Sequence, residues 1–135
     1  MRILRINKKI IYPELCYKVY GLLFAVHKSL RRYKSEKQYM DAFEKPLRDN
    51  GVNYIREKPL PPSFNGEMER RNIPDFIIEG KIIIDFKNKD FITKDDYLQM
   101  QRYLKSYHKK LGLIVNFRQR HLYPKRILNP DNKNS

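Results

Sequence analysis

The chain has 135 residues, enough for one domain that buries roughly two thirds of the surface its unfolded form exposes. Lys and Arg number 29 against 15 Asp and Glu, and the net charge of +14 points to a polyanionic partner, nucleic acid or an anionic membrane face. No run approaches about 18 consecutive apolar residues, so no spanning helix is expected; residues 1–9 lack a signal peptide's long apolar core, and the lone Cys16 excludes an internal disulfide and fits a reducing cytoplasm.

Pro13-Glu14 precedes Leu15, Cys16, Val19, Leu22, Leu23, Val26 and Leu30, a 3.6-residue stripe that predicts a long amphipathic helix with Cys16 in the core. Residues 31–35 read as a short break. A second helix is predicted over 36–49, ended by Gly51 and kinked or restarted at Pro46. Residues 52–58 open a strand, and Asn65-Gly66 and Glu79-Gly80 are turn dipeptides. Together they predict a meander of three antiparallel strands at about 52–64, 68–78 and 81–88. Pro59, Pro61 and Pro62 confine the far part of the first strand to an edge or a bulged arm.

Lys94-Asp95-Asp96 caps a predicted third helix that reaches about residue 109 and turns Leu98, Tyr103 and Leu104 inward. Residues 111–117 have the composition of a strand buried on both faces, 122–128 suggest a last short strand, and 129–135 read as a polar, frayed tail. The order ααβββαβ, with no repeat and no second domain, predicts a single α+β domain over 1–128.

Asp85-Phe86-Lys87 closes the apolar run 81–84. Residues i and i+2 of a strand share a face, so a carboxylate and an ammonium stand together on a strand otherwise built for burial. Upstream, Pro74-Asp75 opens another apolar run, Phe76-Ile77-Ile78. A three-residue loop at 79–81 sets Asp75 directly opposite Asp85, with Cβ atoms about 5 Å apart. A two-residue loop offsets them by one and needs a bulge. Two carboxylates that close repel unless one is protonated or a cation lies between them. Mg²⁺ favours such a site, with one or two carboxylates, several waters and a phosphate oxygen. Lys87 offsets the acids' charge and can orient an attacking water. The constellation points to metal-dependent phosphodiester hydrolysis; the bland alternative is a structural ion pair at the end of a sheet.

These residues carry a resemblance. Pro74-Asp75 followed by Asp85-x-Lys87 resembles the active-site signature of the PD-(D/E)xK nuclease superfamily, and Gln99-x-x-x-Tyr103 resembles the Gln-xxx-Tyr motif of its RecB-like branch. More narrowly, residues 33–39, with Glu36 and Tyr39 matching, resemble the naming motif of the GxxExxY family, as do segments 25–28 and 115–117. The likeness spans about residues 15–128. Tyr33 stands where that family has Gly, and Ile73 where related chains often carry Arg. The resemblance implies a restriction-endonuclease-like core, a mixed sheet flanked by helices, and a Mg²⁺- or Mn²⁺-dependent nuclease acting on nucleic acid, DNA favoured over RNA. It implies Asp75, Asp85 and Glu36 as metal ligands, with Lys87 and Gln99 completing the catalytic set. The alternative is a catalytically inactive nucleic-acid-binding module or interaction subunit on the same fold.

Basic residues cluster in sequence around the proposed site: Arg31, Arg32, Arg70, Arg71, Lys89, Arg102 and Lys105, then several over 118–126. Phosphate contacts of this kind position a nucleic acid without reading its sequence. Tyr33, Phe64 and Phe91, if exposed on loops, can stack on bases. His27, His108 and His121 have no metal-ligand spacing, which disfavours zinc. Nothing indicates a homo-oligomer.

Overall fold

Pro13 at the first helical position begins α1 (Pro13–Leu30) in the computed structural model, which describes residues 11–131. The helix buries Cys16, Val19, Leu23 and Val26 from the predicted stripe and ends at Arg31, whose N–H donates to the His27 carbonyl. α2 (Glu36–Asp49) opens with a capping box in which Ser35 and Gln38 satisfy each other's backbone N–H groups. It runs through Pro46 without a break, so the expected restart does not divide it.

Five strands form one sheet in sequence order: β1 (Tyr54–Arg56), β2 (Phe76–Ile78), β3 (Ile82–Lys87), β4 (Leu111–Asn116) and β5 (Lys125–Leu128). The first three are antiparallel, β4 lies parallel to β3, and β5 returns antiparallel. A parallel pair needs a crossover, and α3 (Lys94–Tyr107) supplies it. The mixed sheet between helices is the predicted α+β core, with β5 as the additional short strand.

The meander is shorter than its sequence suggests. Residues 57–75 leave the sheet as an arm, because Pro59, Pro61 and Pro62 have no N–H to give a ladder. Asn65-Gly66 turns within this arm rather than between strands, and the arm is closed by the Leu60 N–H on the Asn72 carbonyl at 2.7 Å. The Glu67 carboxylate ties it further, accepting the Ser63 N–H at 2.6 Å and the Asn72 amide at 2.9 Å.

Alternation along the strands makes two cores. Phe76, Ile78, Ile82, Ile84, Phe86 and Val115 face α1 and α2. There Phe43 meets Phe76 edge-on at 5.2 Å, and Tyr39 stacks on Phe117 at 4.1 Å. Ile77, Ile83, Ile114 and Ile127 face α3 through Met100, Tyr103 and Leu104. A Cβ at Gly112 would stand 2.3 Å from Met100 Sδ, so glycine lets α3 approach the sheet.

Leu98, expected inward, is 40% exposed, because the buried side of α3 runs through Asp96, Met100, Tyr103 and Leu104. Asn129, expected in the frayed tail, is buried. Its N–H donates to the Lys110 carbonyl at 2.9 Å and its amide to those of Leu104 and Lys109, so ordered structure passes residue 128. The expectations for 1–9 and for 132–135 lie outside the described residues. No described helix is long and apolar enough to cross a membrane.

Candidate active site

The hairpin between β2 and β3 sets the register of the acids. Ile78 pairs with Ile82, leaving 79–81 as the loop. Glu79 and Gly80 both take left-handed φ, 53° and 63°, and the Lys81 N–H closes onto the Ile78 carbonyl at 2.8 Å. The chain thus makes a tight turn plus one extra residue, the three-residue alternative. Carried back along the strands, this register sets Asp75 opposite Asp85. Each carboxylate accepts a backbone N–H from the other strand: Asp85 Oδ1 from Asp75 at 3.1 Å, and Asp75 Oδ2 from Phe86 at 2.7 Å.

Asp85 shares the α3 side of the sheet with Ile83 and Lys87 and is only 4% exposed, while Asp75 is half-buried. Burial, and then the charge of Asp75, push the Asp85 carboxyl up to about 7. Burial also pushes Asp75 up, to about 6, with the Phe86 N–H opposing and the Glu36 charge adding to the shift. Lys87 Nζ stands 3.8 Å from Asp85 Oδ2 and donates to Gln99 Oε1 at 3.1 Å, so the first turns of α3 hold the ammonium beside the acids.

Three residues outside the predicted catalytic set support it. Asp96 is buried, accepts the Thr93 N–H in the capping box of α3, and holds Lys89 at 2.7 Å and Lys87 at 3.8 Å. Burial works to raise its pKa, but the Lys89 contact and the Thr93 hydrogen bonds outweigh that and hold it low. Its sequence signal is Thr93-x-x-Asp96, a capping-box spacing. Asn116, at the end of β4, accepts the Lys89 N–H at 3.2 Å and donates to the Lys89 carbonyl at 2.8 Å. Arg118 Nε donates to Asn88 Oδ1 at 2.8 Å. Neither of these last two carries a local pattern. Tyr103, expected in the core, is 4% exposed and donates to the Ile73 carbonyl at 3.3 Å, two residues before Asp75. Burial, and then the two aspartates, push its pKa up.

Glu36 lies exposed in the first turn of α2, and its charge acts on both aspartates. Among the described residues no three His, Cys, Asp or Glu side chains come together as a metal cage. The expected third ligand is thus near the pair without joining it. The loop that carries it is braced: Tyr39 donates to the Arg31 carbonyl, the Lys34 N–H donates to Tyr39 at 3.2 Å, and the Asn88 amide donates to the Lys34 carbonyl. The positive-φ residue of this loop is Arg31 (φ 66°), and Tyr33 takes an ordinary φ.

The predicted basic residues divide. Arg31, Arg70, Arg71 and Arg102 are exposed. Arg32 Nε is held by the Arg118 carbonyl at 2.7 Å, and Lys89 is engaged by Asp96. Lys105 lies on the last turn of α3, 4.0 Å from Asp131 and about 9 Å along the helix axis from Gln99, away from the acids. His27 Nε2 is 2.8 Å from the Gln119 carbonyl, a tie between α1 and the loop after β4.

The donor set fits a divalent cation. Two opposed carboxylates are fixed by backbone N–H groups and driven toward protonation by burial, and a cation between them would favour their charged forms. A mixed sheet with such a pair, a lysine two residues on and a glutamine from the crossover helix defines a restriction-endonuclease-like nuclease core. The model of the PD-(D/E)XK nuclease superfamily matches residues 13–127, and the chain belongs to that superfamily.

The fold is similar to the crystal structure of SSO0001, with a TM-score of 0.53 and 17% identity over 90% of this chain and 79% of that one. It is also similar to the alkaline exonuclease LHK-Exo from Laribacter hongkongensis, with a TM-score of 0.51 and 12% identity over 90% and 72% of the respective chains. No curated protein sequence matches the chain.

Proposed function

We propose that this chain is a Mg²⁺- or Mn²⁺-dependent nuclease that hydrolyses phosphodiester bonds, with DNA as the favoured substrate. The observation that carries this reading is the opposed pair Asp75 and Asp85, with Lys87 held between Asp85 and Gln99. When bound, the cation supplies Lewis-acid polarisation of the phosphate and a more acidic water. Asp75 and Asp85 would hold it, and the backbone N–H groups of Phe86 and Asp75 fix both carboxylates in place.

Lys87 presents its ammonium to the phosphate or to the attacking water, and Gln99 fixes where that ammonium sits. Glu36 adds negative charge at the mouth of the site and is the candidate third acid once substrate is present. Its neighbour Tyr39, braced on Arg31 and Lys34, supports a narrower membership in the GxxExxY family. The net charge of +14 supports a nucleic-acid substrate, with exposed Arg31, Arg70, Arg71 and Arg102 on its phosphates. The LHK-Exo likeness supports a nuclease fold for that chemistry. The free, buried Cys16 suits the cytoplasm.

The test incubates wild type and Asp85→Ala with single- and double-stranded DNA and RNA in Mg²⁺, Mn²⁺ or EDTA. Metal-dependent cleavage lost in the variant supports the proposal and identifies the substrate. Salt-sensitive binding without cleavage by either protein would replace it with the inactive binding module.

A further inference from the structure

We infer that the pocket one strand away from the carboxylate pair seats a single unpaired nucleobase of the substrate strand. The inference rests on the nuclease reading and adds a subsite to it. The pocket has a volume of about 320 Å³, and its lining includes Phe91, Tyr97, Ile114, Gln119, Tyr123 and Lys125. It begins at the active site's own sheet: Ile114 is the cross-strand neighbour of Asp85, and Asn116 that of Lys87. Neighbouring strands lie about 4.8 Å apart, so the opening is within a nucleotide's reach of a phosphate that meets the aspartates.

The lining matches the chemistry of a base. Phe91 and Tyr123 keep 79% and 73% of their surface in water, an exposure the folded core has no use for. Tyr97 on α3 and Ile114 give the pocket an apolar side and floor. Lys125 Nζ stands 5.8 Å from the Tyr97 ring centroid and has no carboxylate partner among the described residues. Its charge is available to a base carbonyl or an adjoining phosphate. The Gln119 side chain spends its oxygen on the Tyr123 N–H at 3.0 Å, which leaves its amide donors for a base edge.

The pocket wall is held in place before any ligand arrives. Arg118 pins the loop after β3 through Asn88 at 2.8 Å and Asp90 at 3.3 Å, which also offsets the one acid in the lining. Asn116 clamps Lys89 through both backbone groups. Aromatic faces on braced loops, with cationic and amide donors at the edge, suit a flat heteroaromatic ring joined to an anionic backbone. Bases inside a duplex have both faces covered by their neighbours, so the seat takes a base that is single-stranded or frayed from an end.

The experiment places one 2-aminopurine at successive positions of a short single-stranded DNA and titrates it with protein in EDTA, where no turnover occurs. At one register the fluorescence is expected to be quenched, and an abasic linker there to weaken binding about tenfold. The Phe91→Ala/Tyr123→Ala double variant is expected to lose the quench and bind intact and abasic strands alike, while Tyr123→Phe retains both effects. Both rings are exposed, so a melting curve like that of wild type is expected of the double variant.

Equal binding to intact and abasic strands at every position of both DNA and RNA, or a quench that survives in the double variant, overturns the seat. Discrimination on RNA but not DNA supports the seat and corrects the sugar. Wild type that cleaves with metal yet ignores abasic sites overturns the seat alone. Wild type that discriminates but never cleaves overturns the nuclease reading alone.

Discussion

Asp85→Asn removes a buried charge while keeping an oxygen to accept the Asp75 N–H, so the variant should be more stable than wild type without metal. The wild-type carboxyl is pushed up from 3.8 to about 7, by burial first and the Asp75 charge second. A raised carboxyl pKa means that the folded state favours the neutral form. Its contribution to stability is complete below about pH 4 and is lost as pH rises toward about 7. At roughly 1.4 kcal/mol per pH unit the window amounts to at most about 4 kcal/mol, and Lys87 at 3.8 Å together with water reaching half-buried Asp75 reduces the expected value to about 2 kcal/mol. The assay is thermal melting in EDTA. Wild type and variant should coincide near pH 4, and near pH 8 the variant should melt roughly 5–8 °C higher. Added Mg²⁺ should raise wild type alone and narrow the gap. A variant that melts at or below wild type near pH 8, or a gap that ignores pH, would refute the reasoning.

Lys87→Ala should abolish cleavage while leaving DNA binding largely intact in a gel-shift assay; a variant that cuts normally removes the lysine from the mechanism. Asp96→Asn should loosen Lys89 and the α3 cap, lowering stability by about 1 kcal/mol in urea melts and cleavage severalfold; unchanged values for both would show that Asp96 supports neither. Gly112→Ala drives a methyl against Met100 and should cost about 1–3 kcal/mol, unless a denaturation midpoint equal to wild type shows that the methionine yields freely. DNA affinity should fall steeply with salt, the slope counting the phosphates neutralised; a flat dependence would exclude the electrostatic account.

Local pattern made most of the fold legible. The stripe from Cys16 to Val26, the closing Gly51, and a β4 apolar on both faces all predict elements that form. The pair Asp75 and Asp85 was legible up to one residue of register, which turns on Lys81 closing the tight turn at Glu79-Gly80 yet staying unpaired before β3. Strand length was misread because apolar and turn residues in 57–75 also suit an arm pinned by Leu60 and Glu67. Leu98 was misread because the face of α3 that packs on the sheet runs through Met100, Tyr103 and Leu104, with Asp96 at its start, and Leu98 lies off it. What the sequence hides is long-range partnership: Arg118 with Asn88, Asn116 with Lys89, and Asn129 with Leu104 bridge distant segments that no local spacing announces. Glu36 belongs to this class, since its approach to the aspartates depends on how the 31–35 loop is tied to Asn88.

The most direct measurement is calorimetric titration of Mn²⁺ into wild type and Asp85→Asn, repeated in buffers of different ionisation enthalpy near pH 6.5. Binding to a pair whose carboxyls are partly protonated should release protons, so the wild-type heat should change with buffer while the variant shows little or no binding. Equal Mn²⁺ binding by both proteins, or wild-type binding without proton release, would contradict the assignment of the buried aspartate pair as the metal site.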